Sequence, residues 1–141
     1  MKMTSDKLAV CALTMLLALI TSGCGGGKTA AVDGQVKFKD GSDVSVLGGY
    51  EIAFEHEESK TSATGQILPD GKFTMTTFAP GDGALPGKHR VTITQPTAPD
   101  PDKPPQKSKL PEKYADFSAS GLAVEIKPGR NAVALELDRV P

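Results

Sequence analysis

The sequence predicts an all-β domain behind a short processed leader. Three observations carry that expectation. From Val32 onward apolar residues recur with a period of two. Turn-forming residues punctuate the same stretch, the chain holding 15 Gly and 11 Pro. After residue 31 no segment sustains the 3.6-residue apolar period of a helix. A chain of 141 residues suits one domain and leaves no room for a second sizeable core.

The leader comes first. Lys2 and Lys7 form a basic start, and Leu8 to Ile20 is a run of thirteen residues interrupted only by Thr14. A bilayer span needs about 20 apolar residues, so this run reads as the hydrophobic segment of a secretory signal, a signal helix over residues 1–23. It ends in Thr21-Ser22-Gly23-Cys24, followed by Gly25-Gly26-Gly27. That arrangement resembles the lipobox of bacterial lipoproteins, in which small residues precede a cysteine that becomes the new N-terminus. The resemblance implies that Cys24 accepts a diacylglyceryl group and acyl chains such as palmitate. Thr21 departs from the pattern, which usually has Leu there. Of the two cysteines, Cys11 falls within the leader, so the mature chain holds Cys24 alone and forms no internal disulfide. Two or three acyl chains anchor a protein stably, where one does so marginally. Gly25 occupies the position where an inner-membrane retention signal has Asp, so an outer-membrane destination is allowed. Residues 24–31 then read as a lipidated flexible tether holding the domain within about 25 Å of the lipid surface.

The strands follow in order. The first alternates Gly34, Val36 and Phe38 with Gln35, Lys37 and Lys39. The second sets Tyr50, Ile52 and Phe54 against Glu51, Ala53 and Glu55. A weaker third covers Ser62 to Leu68, and the fourth shows Phe73, Met75 and Thr77 on one face. The fifth sets Val91 and Ile93 against Arg90, Thr92 and Thr94. In the sixth, Leu122, Val124 and Ile126 oppose Ala123, Glu125 and Lys127. The last sets Val133, Leu135 and Leu137 against Ala134, Glu136 and Asp138. Clean alternation gives each sheet one dry and one wet face. Pro69-Asp70-Gly71 marks a hairpin, and Lys127-Pro128-Gly129-Arg130 a type II turn. Seven short strands with such turns argue for an antiparallel sandwich of two sheets. Pro96 to Lys109, with five prolines in fourteen residues, breaks the pattern and reads as an extended surface loop.

Asp33-Gly34-Gln35-Val36, Gly65-Gln66-Ile67 with Asp70-Gly71-Lys72-Phe73-Thr74, and Pro86 through Ile93 together resemble the carboxypeptidase regulatory-like domain. Leu110-Pro111-Glu112-Lys113-Tyr114 and Ser120-Gly121-Leu122 extend the likeness to small bacterial lipoproteins that carry it. The resemblance implies a seven-stranded Greek-key β-sandwich, prealbumin-like or immunoglobulin-like, over residues 32–141. It also implies an accessory or structural module. Gly41 to Gly49 lacks the family's Pro-Leu pair, and His89 stands where the family usually has Tyr.

Candidate chemistry is sparse. Sixteen basic residues against seventeen acidic ones give a net charge of -1, which offers no electrostatic footprint for nucleic acid. No G-x-S-x-G nucleophile motif occurs. His56 and His89 read as strand-end histidines partly covering the core. His56-Glu57-Glu58 offers a nitrogen and two carboxylates to a metal, but neighbours on a strand point to opposite faces. Asp100 and Asp102 lack the EF-hand pattern for calcium. The loop from Thr77 to Gly87 lacks the residues of a phosphate-binding loop; it reads as a tight crossover with Leu85 plugging one end of the core, or as part of a binding edge. The wet faces carry Gln35, Lys37, Glu51, Glu55, Arg90, Thr92 and Glu125 and no aromatic row on which sugars would stack.

The expectation is therefore a non-enzymatic, lipid-anchored lipoprotein of the bacterial cell envelope, acting as a structural or binding module. Cys24 is its single modified residue; no catalytic residue, metal ligand or cofactor is expected. Its partners are the membrane, through the anchor, and an envelope protein. The alternative is a carbohydrate- or metal-binding accessory subunit of an envelope enzyme or transporter.

Overall fold

A computed structural model describes residues 28–96 and 107–141. The leader over 1–23, Cys24, the tether up to Gly27 and residues 97–106 of the proline-rich loop lie outside the described residues. The regular elements of the described residues are mostly strands: β1 (Ala31–Phe38), β2 (Glu51–His56), β3 (Ser62–Gln66), β4 (Lys72–Thr74), β5 (Gly87–Thr94), β6 (Leu122–Ile126) and β7 (Arg130–Leu137). Two 3-10 turns, Val44–Leu47 and Glu112–Ala115, are the helical elements.

The strands form two sheets, one ordered β4-β1-β7 and the other β3-β2-β5-β6. Alternation produces the inner faces as the period requires: along β1, Val32, Val36 and Phe38 are buried while Asp33 and Lys37 are exposed. One apolar cluster joins both sheets. Phe54 of β2 meets Phe73 of β4 edge to face, ring centroids 6.0 Å apart, a favoured aromatic geometry. Phe73 in turn lies over Gly34, its cross-strand partner, where a Cβ would fall 2.0 Å from the ring. Gly34 keeps the period of β1 and yields its volume to that ring. Two mutual backbone bonds of 2.8 Å between Thr64 and Thr76 stitch β3 to the chain just past β4, closing one side of the core.

Four expectations are corrected. The arrangement is not wholly antiparallel, because β1 and β7 pair in parallel over eight residues, from Ala31↔Arg130 to Phe38↔Leu137. The cause is connectivity. The 127–129 turn carries the chain from the end of β6 in one sheet into β7 in the other, so β7 enters at the pole where β1 begins. The fourth strand ends at Thr74; Met75 stays fully buried, but Thr77 turns away into a loop. Thr92, expected on a wet face, is buried beside Ala53, its partner in register. Finally, Leu122, Val124 and Val133 are only partly buried, as residues of the sheet-edge strands β6 and β7.

On the side where β6 and β7 are edges, the segment after residue 107 supplies the missing core. Leu110 and Tyr114 are buried, and the second 3-10 turn packs against β5. The Tyr114 hydroxyl donates to Asp138 Oδ2 (3.0 Å) and accepts from the Asp138 N–H (2.9 Å). Lys39 and Lys113 each donate to the same carboxylate at 2.9 Å. These donors hold the Asp138 carboxyl well below the usual carboxylate range. At the same pole, the first 3-10 turn is started by Asp43, whose carboxylate accepts from the Ser45 N–H (2.9 Å), and it delivers Leu47 into the core.

Candidate functional site

The side chains with most chemical capacity gather at the pole where β1 begins. His56 and His89 are partners in register on β2 and β5, with ring centroids 5.1 Å apart and planes at 67°. Both face inward because each falls in phase with the buried residues of its strand. Gly87 makes room for them. Its φ is +133°, and a Cβ there would stand 2.4 Å from His56 Nε2.

Each ring is committed. The Ser59 N–H donates to His56 Nδ1 (3.1 Å), which leaves the proton on Nε2 to be donated to the Pro86 carbonyl (3.2 Å). His89 Nε2 lies 2.7 Å from the Leu85 carbonyl and donates to it. Its Nδ1 is buried without a partner. Burial, which disfavours the imidazolium, lowers the His89 pKa, and the neighbouring His56 pushes in the same direction against the Leu85 carbonyl. The two rings thus pack edge to face, each with a nitrogen on a backbone carbonyl, and burial favours the neutral form of His89.

A pH dependence follows from that burial. Unfolded, His89 protonates near its ordinary value of 6.5; folded, it does so only lower. The unfolded state then binds more protons, and stability falls as pH drops below about 6.5 toward the folded value. Urea midpoints measured from pH 7.5 to 5 should decline, and His89→Phe should flatten that slope. An unchanged slope in the variant would assign the decline elsewhere.

His56, Glu57, Glu58, Pro86, Gly87, Lys88 and Glu125 line an open cleft of about 520 Å³. Among the described residues no group of three His, Cys, Asp or Glu side chains converges as a metal would require. Glu57 and Glu58 are both exposed, and neither ring nitrogen of His56 is free to turn toward them. Asp100 and Asp102 lie outside the described residues, as does Cys24.

The loop that follows β4 is the best-built irregular segment at this pole. The Asp82 carboxylate accepts three backbone N–H groups, from Thr77 (2.7 Å), Phe78 (3.0 Å) and Ala79 (3.1 Å). Those backbone bonds outweigh the cost of partial burial and hold its pKa below the ordinary value. Thr77 Oγ1 donates to the Gly83 carbonyl (2.7 Å), and the Gly81 N–H to Thr76 Oγ1 (2.9 Å). Here the expectation for Leu85 is corrected: Ala84 is the residue fully buried, and Leu85 is half-buried, its carbonyl serving His89. Ala84 also exchanges two backbone bonds with Ala30, at 2.8 and 3.0 Å, which ties the incoming chain to the loop. The single acidic residue following Pro80-Gly81 was the available sequence signal for this carboxylate-centred loop.

Ser59 Oγ lies 2.9 Å from His56 Nδ1, and its hydroxyl donates to Thr61 Oγ1 at 3.0 Å, so among the described residues the one hydroxyl beside an imidazole is directed to a neighbouring threonine. Comparison with protein-family models, with curated proteins and with solved structures finds no match.

Proposed function

We propose that the chain is a non-enzymatic lipoprotein of the bacterial cell envelope, anchored through acylated Cys24, whose single domain is a structural or binding module. The carrying observation is one of placement. Cys24 directly follows the Leu8–Ile20 run and its small-residue flank, and six residues later Ala30 is bonded into the domain at Ala84. A chain organised this way needs no longer linker to sit at a lipid surface. The finer fold reading belongs to the same proposal: the two sheets stack as a prealbumin-like Greek-key sandwich of carboxypeptidase regulatory-like type. Their shared core and the division into three and four strands support it.

Cys24→Ser tests the anchor. Wild-type protein should fractionate with membranes and carry the mass increment of the lipid, and the variant should lose both. Unmodified wild-type protein in the soluble fraction would refute the reading.

A further inference from the structure

We infer that the loop carrying Phe78 seats on the bilayer that holds the anchor, so that the domain meets the lipid surface in one orientation; this rests on the acylation of Cys24 proposed above. Four residues are exposed large hydrophobics among those described, and Phe78 is the most exposed at 67%. The other three, Val46, Leu68 and Val140, follow the ends of β1, β3 and β7, at the opposite pole. Phe78 alone stands at the pole where the tether enters.

Its exposure is built, not slack. The three N–H groups gripped by Asp82 are those of Thr77, Phe78 and Ala79, so the loop's backbone is fixed on both sides of the ring. The Ala30–Ala84 bonds set the same loop beside the incoming chain. Between Cys24 and Ala30 the backbone reaches no more than about 22 Å even when fully extended. The lipid surface is therefore the apolar phase that the ring most readily meets, and an aromatic ring held at such an interface gains by entering its acyl boundary.

On the other side of the entering chain, the turn after β6 carries Lys127 and Arg130, both exposed, and Asn131 Nδ2 donates to the Ala31 carbonyl at 3.3 Å. Lys28, Lys60 and Lys88 are further exposed cations at this pole, and Glu57, Glu58, Asp82 and Glu125 there offset most of that charge. The seating is thus assigned to the ring and not to net charge.

The chain contains no Trp, so one introduced indole reports alone. Full-length chains carrying Phe78→Trp or Leu68→Trp would be expressed with the leader in a lipoprotein-processing bacterium. Each would then be reconstituted into phosphatidylethanolamine–phosphatidylglycerol vesicles. The indole at position 78 should be quenched by lipid brominated along its acyl chains and resist aqueous iodide; that at position 68 should show the reverse. Equal iodide quenching at the two positions, with the acyl mass present on Cys24, would overturn the orientation and leave the anchor standing. Absence of the acyl mass would overturn the anchor, and the orientation with it.

Discussion

Tyr114→Ala should destabilise the domain by about 3–5 kcal/mol, the range for removing a large buried aromatic side chain. For a domain near 100 residues that lowers the melting temperature by roughly 15–30 °C. The size follows from what the ring does. Tyr114 is 2% exposed, and its 3-10 turn packs against β5 of one sheet while its hydroxyl is bonded beyond β7 of the other. Truncation leaves a cavity where the two sheets have no strand in common. Tyr114→Phe keeps the volume and loses only the hydroxyl, leaving the Asp138 N–H without its acceptor; a loss of about 0.5–1.5 kcal/mol is expected. The Asp138 carboxylate, held low by Lys39, Lys113 and Tyr114, adds stability that is present above its unfolded pKa. That contribution fades as pH falls through its lower folded value, well below the window assigned to His89. Thermal melts of the three proteins at neutral pH separate packing from hydrogen bonding. Equal losses for Ala and Phe would show that the ring's volume carries nothing.

What the sequence discloses and what it hides divide along the range of the interactions. Strand positions are local: alternation through Ile52 and Phe54, or Val91 and Ile93, needs only neighbours two residues apart, and the structure buries all four. The turn at Asp70-Gly71 is local too, although the β3 and β4 strands it joins lie in different sheets and do not form the expected hairpin ladder. Gly71 takes φ +81°, and Asp70 accepts from the Lys72 N–H at 2.9 Å. Partner choice is not local. Nothing in Arg130–Leu137 distinguishes a parallel partner from an antiparallel one, because the same alternation serves both. Tyr114 was legible only as part of a resemblance, since a lone aromatic in a stretch without period has no face to be assigned to. At the candidate site, the inward phase of His56 and His89 was readable. The commitment of their rings to Ser59, Pro86 and Leu85 was not, because it depends on carbonyls that side-chain patterns do not encode. The proposed leader, by contrast, rests on sequence alone: run length, small residues and one cysteine.

Gly83→Ala should be as damaging as the loss of Tyr114, about 3–5 kcal/mol, although it adds a single methyl group. Two costs coincide there. Gly83 has φ +93°, a backbone conformation that costs a residue with a Cβ about 1–3 kcal/mol. The added carbon would also lie 1.8 Å from the Ala30 carbonyl oxygen and 2.5 Å from its carbon. Backbone cannot swing aside as a side chain can, so relief requires parting Ala30 from Ala84. That breaks two backbone bonds between residues that are otherwise buried. Gly81→Ala supplies the control: its φ is +71°, yet nothing lies within 4 Å of its Cβ position, so it should show the backbone cost alone. If the two variants melt together, strain at positive φ explains both and the contact with Ala30 is unimportant. If Gly83→Ala melts far lower, the loop from Thr77 to Gly83 and the start of β1 are one mechanical unit. Limited proteolysis should then cut near Lys28 sooner in Gly83→Ala than in wild type, because the bond that fixes the tether to the domain is the one the methyl group displaces.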